Sequence, residues 1–187
     1  QNHIRESVGP QDQTAASFGG MNKISFNGNK DIDVEPIIIS NERRTELQEN
    51  LMLFFTGFSR NASEIAKKQI EVTPQKEKEL NTIKEICDEG LKRLTDSKQS
   101  LDKFGELLGE QWKVKRSLTD KISTKEIDDI YKAGINAGSL GGKILGAGGG
   151  GFMLFYVPRN KQEKIKDALK SKLFVPFHFE NTGSKII

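Results

Sequence analysis

The residues best suited to chemistry begin with a run of nearly bare main chain. Gly141-Gly142-Lys143-Ile144-Leu145-Gly146-Ala147-Gly148-Gly149-Gly150-Gly151 leads directly into the apolar, β-prone Phe152-Met153-Leu154-Phe155-Tyr156-Val157. Adjacent glycines are costly in an ordered protein, because glycine loses the most backbone freedom on folding. They are useful where main chain must come very close to a partner or take positive φ, and phosphate cradles are the commonest such need, since bare N–H groups converge on an anion unhindered. A tight connection between helix and strand is the bland alternative, but one or two glycines suffice for that. Two standard signatures fail here. Gly146-Ala-Gly148-Gly-Gly-Gly151 satisfies G-x-G-x-x-G, but the dinucleotide fingerprint needs a strand before and a helix after, and here a helical pattern precedes and a strand follows. The P-loop pattern fails because Ile144 follows Gly142-Lys143 and Ala137 stands where the first glycine should be. Lys143 reads equally as a phosphate-facing cation or a solvated one.

Asp12 is the second candidate, in Gly9-Pro10-Gln11-Asp12-Gln13 ahead of Phe18-Gly19-Gly20. An aspartate at a helix start serves as an N-cap. Held ionised by the helix dipole, it also suits phosphoryl transfer, which asks for a carboxylate beside the acceptor hydroxyl to orient it and take its proton. Gln11 and Gln13 are either hydrogen-bonding partners for sugar hydroxyls or surface amides. The third candidate is Thr56-Gly57-Phe58-Ser59-Arg60-Asn61-Ala62-Ser63, a strand, a glycine turn and a helix start, which is geometry that favours anions. Arg60 there is either a bidentate phosphate clamp or a surface arginine at a capped helix.

The elements that must position these residues follow from periodicity. Small residues between Pro10 and Gly19-Gly20 predict a short helix, preceded by the last turns of another at Ile4–Val8. Ile24–Phe26 and Val34–Ile39 read as strands around a turn at Asn27-Gly28-Asn29, with Pro36 forcing an edge or bulge. Leu51–Thr56 reads as a buried strand, and Ser59 or Asn61 caps the helix after it, which Thr73-Pro74 breaks. Three amphipathic helices carry Leu80, Ile83, Cys87, Leu91 and Leu94; Leu101, Phe104, Leu108 and Trp112; and Ile127, Ile130, Tyr131 and Ile135. Ser123 or Thr124 caps the third and Gly138 closes it. Phe152–Val157 is a strand, Asn160 caps a helix with Ile165, Ala168 and Leu169 inward, and Phe174–Phe179 is a last strand before the turn at Gly183. The layout is α+β, helices packed on one face of a small, mostly antiparallel sheet.

Composition narrows the function classes. With 187 residues, a formal charge of +3, 35% hydrophobic and 29% charged residues, the chain can hold one domain or one and a half. Charges of both signs mix along the helices, so no nucleic-acid stripe is expected. No apolar run is long enough to cross a membrane. The single Cys87 excludes an internal disulfide, suits a reducing cytoplasm, and is expected as a buried small hydrophobe. His3 and His178 have no partner cluster, so no metal site is expected. The chain opens on Gln1 and what reads as mid-helix, so an upstream part is expected to be cut off or carried separately.

Leu140-Gly-Gly-Lys-Ile-Leu-Gly-Ala-Gly-Gly-Gly-Gly-Phe152, between a helix and a buried strand, resembles the C-terminal glycine motif of the GHMP kinases, the superfamily of galactokinase, homoserine kinase, mevalonate kinase and phosphomevalonate kinase. It looks most like the branch acting on D-glycero-D-manno-heptose 7-phosphate, with fucokinases as near relatives. The Asp12 segment resembles the stretch carrying the catalytic aspartate in sugar kinases of that superfamily, and Thr56–Ser63 resembles a T-G-x-S-R-x-A-S segment of the heptose kinase branch. The resemblance implies residues 1–40 as the tail of an N-terminal domain and 41–187 as the C-terminal domain. It implies ATP and Mg²⁺, a sugar-phosphate acceptor, Asp12 as the catalytic carboxylate, and Gln11, Gln13 and Arg60 on the substrate. Lys143, Gly146, Gly148, Gly149, Gly150 and Gly151 would form the active-site loop. The family's G-L-G-S-S-type ATP-phosphate loop and its Mg²⁺ ligands fall upstream of residue 1, so these residues alone are expected not to turn over ATP. A homo-oligomer stays open. The rival readings are a non-catalytic sugar- or nucleotide-binding regulator of the same fold, a fucokinase-like enzyme, and a purely structural helical adaptor.

Overall fold

The computed structural model describes residues 9–27, 31–58 and 62–185. The expected helix at Ile4–Val8, the centre of the Asn27-Gly28-Asn29 turn, the Ser59 and Asn61 caps, and Arg60 lie outside them. Helix α1 (Gln11–Phe18) leads to a hairpin of β1 (Asn22–Phe26) and β2 (Ile32–Pro36). Helix α2 (Asn41–Asn50), strand β3 (Leu51–Phe55) and helix α3 (Ala62–Val72) follow. After a 3₁₀ turn at Thr73–Gln75 come α4 (Glu77–Thr95), α5 (Asp102–Arg116) and α6 (Lys125–Ala137). The chain ends with β4 (Gly141–Ile144), β5 (Phe152–Tyr156), α7 (Gln162–Ala168) and β6 (Leu173–Val175).

β1 and β2 form a two-stranded sheet of their own, Asn22 opposite Pro36, so Pro36 sits where no ladder bond is asked of its missing N–H. The other four strands form an antiparallel sheet in the order β4-β5-β3-β6. This is the α+β class that the alternation and the helical spacings predict. Met52, Phe54, Met153, Phe155 and Ile144 share one side of the pleat, and α6 and α7 cover them with Ile127, Ile130, Ile165 and Leu169. Tyr156 and Leu51, of the opposite alternation, join Leu47, Leu94 and Leu101 in a second cluster. Thr124 caps α6, accepting from the Ile127 N–H at 3.4 Å, and Gly138 ends it in the left-handed region at φ 113°.

Helix α5 lies unusually close to the edge strand β4. A Cβ on Gly141 would stand 2.1 Å from the Gly105 carbonyl oxygen, and one on Gly105 would stand 2.4 Å from the buried Tyr156 ring. Glycine at 141 is what lets helix and strand meet backbone to backbone, while glycine at 105 leaves room for the Tyr156 ring of β5. It also fixes where the last turn of α5 emerges, beside the β4–β5 connection.

One element was not expected, and three expectations need correction. α2 has one inward leucine, Leu47, and no apolar period, so the sequence did not announce it. It is held instead by Ser40, whose hydroxyl accepts from the Arg43 N–H at 3.2 Å, and by Arg43 itself. The Arg43 guanidinium is buried and donates to three carbonyls at the end of α4: Leu94 at 3.2 Å, Gln99 at 2.7 Å and Arg93 at 2.5 Å. The last strand stops at Val175, because Pro176 has no N–H to continue the ladder. Beyond it the Gln48 amide takes the place of a strand, donating to the Phe177 carbonyl at 2.9 Å and accepting from the Phe179 N–H at 2.7 Å. Cys87 is exposed, not buried, because the helices cover α4 only towards its C-terminal end, from Gly90 and Leu94 on. Asn160 caps nothing. It lies within a 3₁₀ turn, and α7 starts after it with Ile165 and Leu169 buried but Ala168 exposed.

Arg43→Ala would strand three carbonyls at a helix end, and we expect it to cost roughly 2–4 kcal/mol, read as a lower urea midpoint at unchanged m-value. Gly141→Ala would force the α5 backbone outward, and a loss of about 3 kcal/mol or more is expected. An unchanged midpoint for either would contradict the packing described.

Candidate functional site

β4 extends to Ile144, so the first glycines of the run are strand, and the loop proper spans 145–151. Strand, not helix, therefore precedes it, but a strand also follows, and the dinucleotide context still fails. The loop is fixed from inside. Leu145, Gly149 and Gly151 donate their N–H groups to the carbonyls of Phe152 (2.9 Å), Ile122 (2.8 Å) and Phe58 (2.9 Å). Its own carbonyls accept from side chains: Gly146 from Lys115 Nζ at 2.5 Å, Ala147 from Gln69 Nε2 at 2.8 Å, and Gly151 from Thr56 Oγ1 at 2.9 Å.

The glycines divide by reason. A Cβ at Gly148 would meet the Ile122 carbonyl at 2.7 Å, and one at Gly150 would meet the Phe58 carbonyl at 2.8 Å, so these two serve close packing. Gly146 and Gly151 have open space around the Cβ position, and glycine is needed there for φ values of 74° and 93°. The N–H groups of Gly149 and Gly151 are bonded to protein and cannot reach an anion. The loop is thus a rigid wall more than a full N–H cradle.

The Thr56–Phe58 segment is stitched to this wall. Buried Thr56 sends both its N–H and its hydroxyl to the Gly151 carbonyl, and Lys172 Nζ donates to the Thr56 carbonyl at 3.0 Å. Two stretches that the sequence offered separately, 56–58 and 146–151, are one structural unit.

Asp12 lies in the exposed first turn of α1. It is not the N-cap, a place taken by Pro10 with no side-chain bond, so the capping explanation for this aspartate falls away. α1 is tied to the C-terminal segment. The Ser184 N–H donates to the Ala16 carbonyl and the Gly20 N–H to the Glu180 carbonyl, both at 3.0 Å, and a Cβ on Gly183 would collide with Ser17 O. Gln11 and Gln13 are exposed on the same turn.

Sequence reasoning missed Lys115, which joins these parts. From the last turn of α5 it bonds the Gly146 carbonyl, and it feels the charges of both Lys143 and Asp12. Burial, reinforced by the like charge of Lys143 and opposed by the Asp12 carboxylate, pushes its ammonium down to about 8. Burial likewise holds Lys143 below the ordinary lysine range, so the picture of a freely solvated cation does not apply. Nothing in the run Trp112-Lys-Val-Lys-Arg116 singled Lys115 out, because a lysine in the last turn of a helix ordinarily answers the dipole. Among the described residues no group of three or more His, Cys, Asp or Glu could hold a metal, and no helix is long and apolar enough to cross a membrane.

Comparison with known proteins shows what the chain is similar to. Residues 89–175 match the GHMP kinases C terminal family model. Over 184 residues, 95% of this chain, the sequence is 36% identical to D-glycero-alpha-D-manno-heptose 7-phosphate kinase of Campylobacter jejuni, and it covers 53% of that protein. A solved sugar kinase from Campylobacter jejuni superposes with a TM-score of 0.63 at 31% identity, over 94% of this chain and 50% of that one. L. major mevalonate kinase superposes with a TM-score of 0.71 over 92% and 53%, and at 18% identity it shows the fold alone. The chain spans about half the length of these relatives. Residues 89–175 are thus similar to a GHMP kinase C-terminal domain, and the chain as a whole is similar to half of a heptose 7-phosphate kinase.

Proposed function

We propose that this chain is the acceptor-side part of an ATP-dependent sugar kinase whose substrate is a sugar phosphate, D-glycero-D-manno-heptose 7-phosphate being the first choice. The observation that carries the reading is the position of Lys115, whose ammonium bonds the Gly146 carbonyl of the glycine loop. The Asp12 carboxylate, 134 residues before Gly146, favours the charged form of the same ammonium. The similarity to a heptose kinase over 95% of the chain supports the choice of sugar.

In this reading the acceptor hydroxyl attacks the γ-phosphorus in line as the bond to the ADP oxygen breaks. Asp12 orients that hydroxyl and receives its proton, while Gln11 and Gln13, on the same exposed turn, hydrogen-bond the sugar. Arg60 stays a candidate clamp for the acceptor's phosphate. The wall of Gly146–Gly151 shapes the phosphate end of the pocket and contributes rigidity, so catalysis comes from positioning and fixed charge. The described residues offer no ligand set for Mg²⁺; the ion is expected to arrive with the nucleotide, and no step here depends on its geometry. We also propose a domain boundary near residue 40. The four-stranded sheet lies wholly beyond it and the two-stranded hairpin wholly before it.

The test joins these residues to a half carrying the ATP-phosphate loop and measures ADP release with heptose 7-phosphate, fucose and galactose. Turnover with the heptose phosphate is expected. Asp12→Asn should lower kcat about 10²-fold or more, leaving KM for ATP and the thermal midpoint unchanged, because the side chain is exposed. Unchanged turnover would remove Asp12 from the mechanism. Sugar binding without ADP release in the unaltered protein would favour the non-catalytic regulator.

A further inference from the structure

Lys115 holds the glycine loop near its entrance, and the next residue of α5 reaches the centre of the loop by another route. Arg116 Nη1 donates to Asp128 Oδ1 at 2.6 Å, and the Ser123 hydroxyl donates to the same oxygen, also at 2.6 Å. Most ion pairs among the described residues join positions three or four apart on one helix, as Lys103–Glu106 and Lys125–Asp129 do. Arg116–Asp128 instead joins two helices and closes the connection between them. Each partner suits its place: Arg116 is in the last turn of α5, where the helix dipole favours a cation, and Asp128 in the first turn of α6, where it favours a carboxylate. The pair is mostly shielded from water, with side-chain exposures of 32% and 35%. Arg116 also lies over the ring of the fully buried Trp112, 5.9 Å from its centre.

The connection closed in this way, residues 117–124, carries Ile122. Its side chain is wholly buried in the main core, and its carbonyl accepts the Gly149 N–H at 2.8 Å. The Ile122 carbonyl and the Ser123 N–H belong to one planar peptide unit, so tying down Ser123 fixes the direction in which that carbonyl points. Hydrogen bonds to an ionised carboxylate are about twice as strong as neutral ones, which makes Asp128 the firmest point in the connection. We propose that Asp128 is a positioning residue for the glycine loop, acting through Ser123 and Ile122 on Gly149. Two adjacent residues at the end of α5 thereby hold two points of one loop, Lys115 directly at Gly146 and Arg116 through Asp128 at Gly149. An ion pair that merely staples α5 to α6 has no need of Ser123; the shared oxygen is what extends the pair to the loop. The consequence for turnover rests on the kinase reading, and the network itself does not.

The experiment measures amide hydrogen exchange by NMR in the 187-residue chain and in its Ser123→Ala variant, which leaves the Arg116–Asp128 pair in place. The Gly149 amide should exchange about tenfold faster in the variant. Leu145 and Gly151, whose N–H groups are bonded to Phe152 and Phe58, should keep their rates. Asp128→Ala should give the same selective change or a larger one, and Ser123→Thr, which retains a hydroxyl, should restore slow exchange at Gly149. In the protein joined to a half carrying the ATP-phosphate loop, Ser123→Ala should lower kcat about tenfold and leave KM for ATP unchanged. Acceleration shared equally by all three amides, or none at Gly149, overturns the proposal: the first is general loosening and the second means that the carboxylate does not reach the loop. Full turnover by Ser123→Ala with the Gly149 amide freed overturns it as well. A selective effect at Gly149 in a protein that transfers no phosphoryl group sinks the kinase reading and leaves the positioning of the loop by Asp128 standing.

Discussion

The contact on which the rest of the molecule turns is the meeting of α5 and β4 without side chains between them. Gly141 brings its backbone to a separation from Gly105 and Gly109 that any Cβ on it would prevent. That approach aims the end of the helix at the hairpin loop, so that the Lys115 ammonium reaches the Gly146 carbonyl. The loop then needs no ligand to hold its shape. Side-chain donors hold carbonyls at 146, 147 and 151, and backbone acceptors hold N–H groups at 145, 149 and 151. Preorganisation of this kind is what transition-state stabilisation asks of a site, since groups already fixed need no rearrangement during the reaction.

Distant parts of the chain converge on this arrangement through unusual partners. Arg43 closes the end of α4 in the manner of a C-cap, supplied from fifty residues upstream. Gln48 stands in for a strand after Pro176 and so carries the C-terminal segment past α2. That segment then meets the backbone of α1 at Gly183, and α1 presents Asp12. The candidate carboxylate is thus held through α2 and the C-terminal tail, neither of which carries any catalytic signal of its own.

The difference between what the sequence disclosed and what it hid has a physical pattern. α4, α5 and α6 were legible because burial of one face imposes a 3.6-residue period, and β5 because an apolar run between glycines and Pro158 has few alternatives. The glycine run was legible as a site feature because its entropic cost demands a cause. α2 was not legible, since a buried guanidinium and a cap hold it in place of an apolar stripe. The exposure of Cys87 was not legible either: periodicity tells which residues share a face, not how far along the helix that face is covered. Lys115 was the largest omission. Its role depends on the close approach of α5 to a strand 36 residues further on, and no local pattern encodes that distance.

The central claim is that Asp12 and the glycine loop address one small volume, with Lys115 reporting on both. It can be tested without substrate, by following the lysine ε-carbon resonances through a pH titration and assigning Lys115 by substitution. The account predicts a Lys115 titration near 8, well below the ordinary 10.5, moving lower still when Asp12→Asn removes the attracting charge. A Lys115 that titrates near 10.5, or one indifferent to the loss of the Asp12 charge, would contradict it.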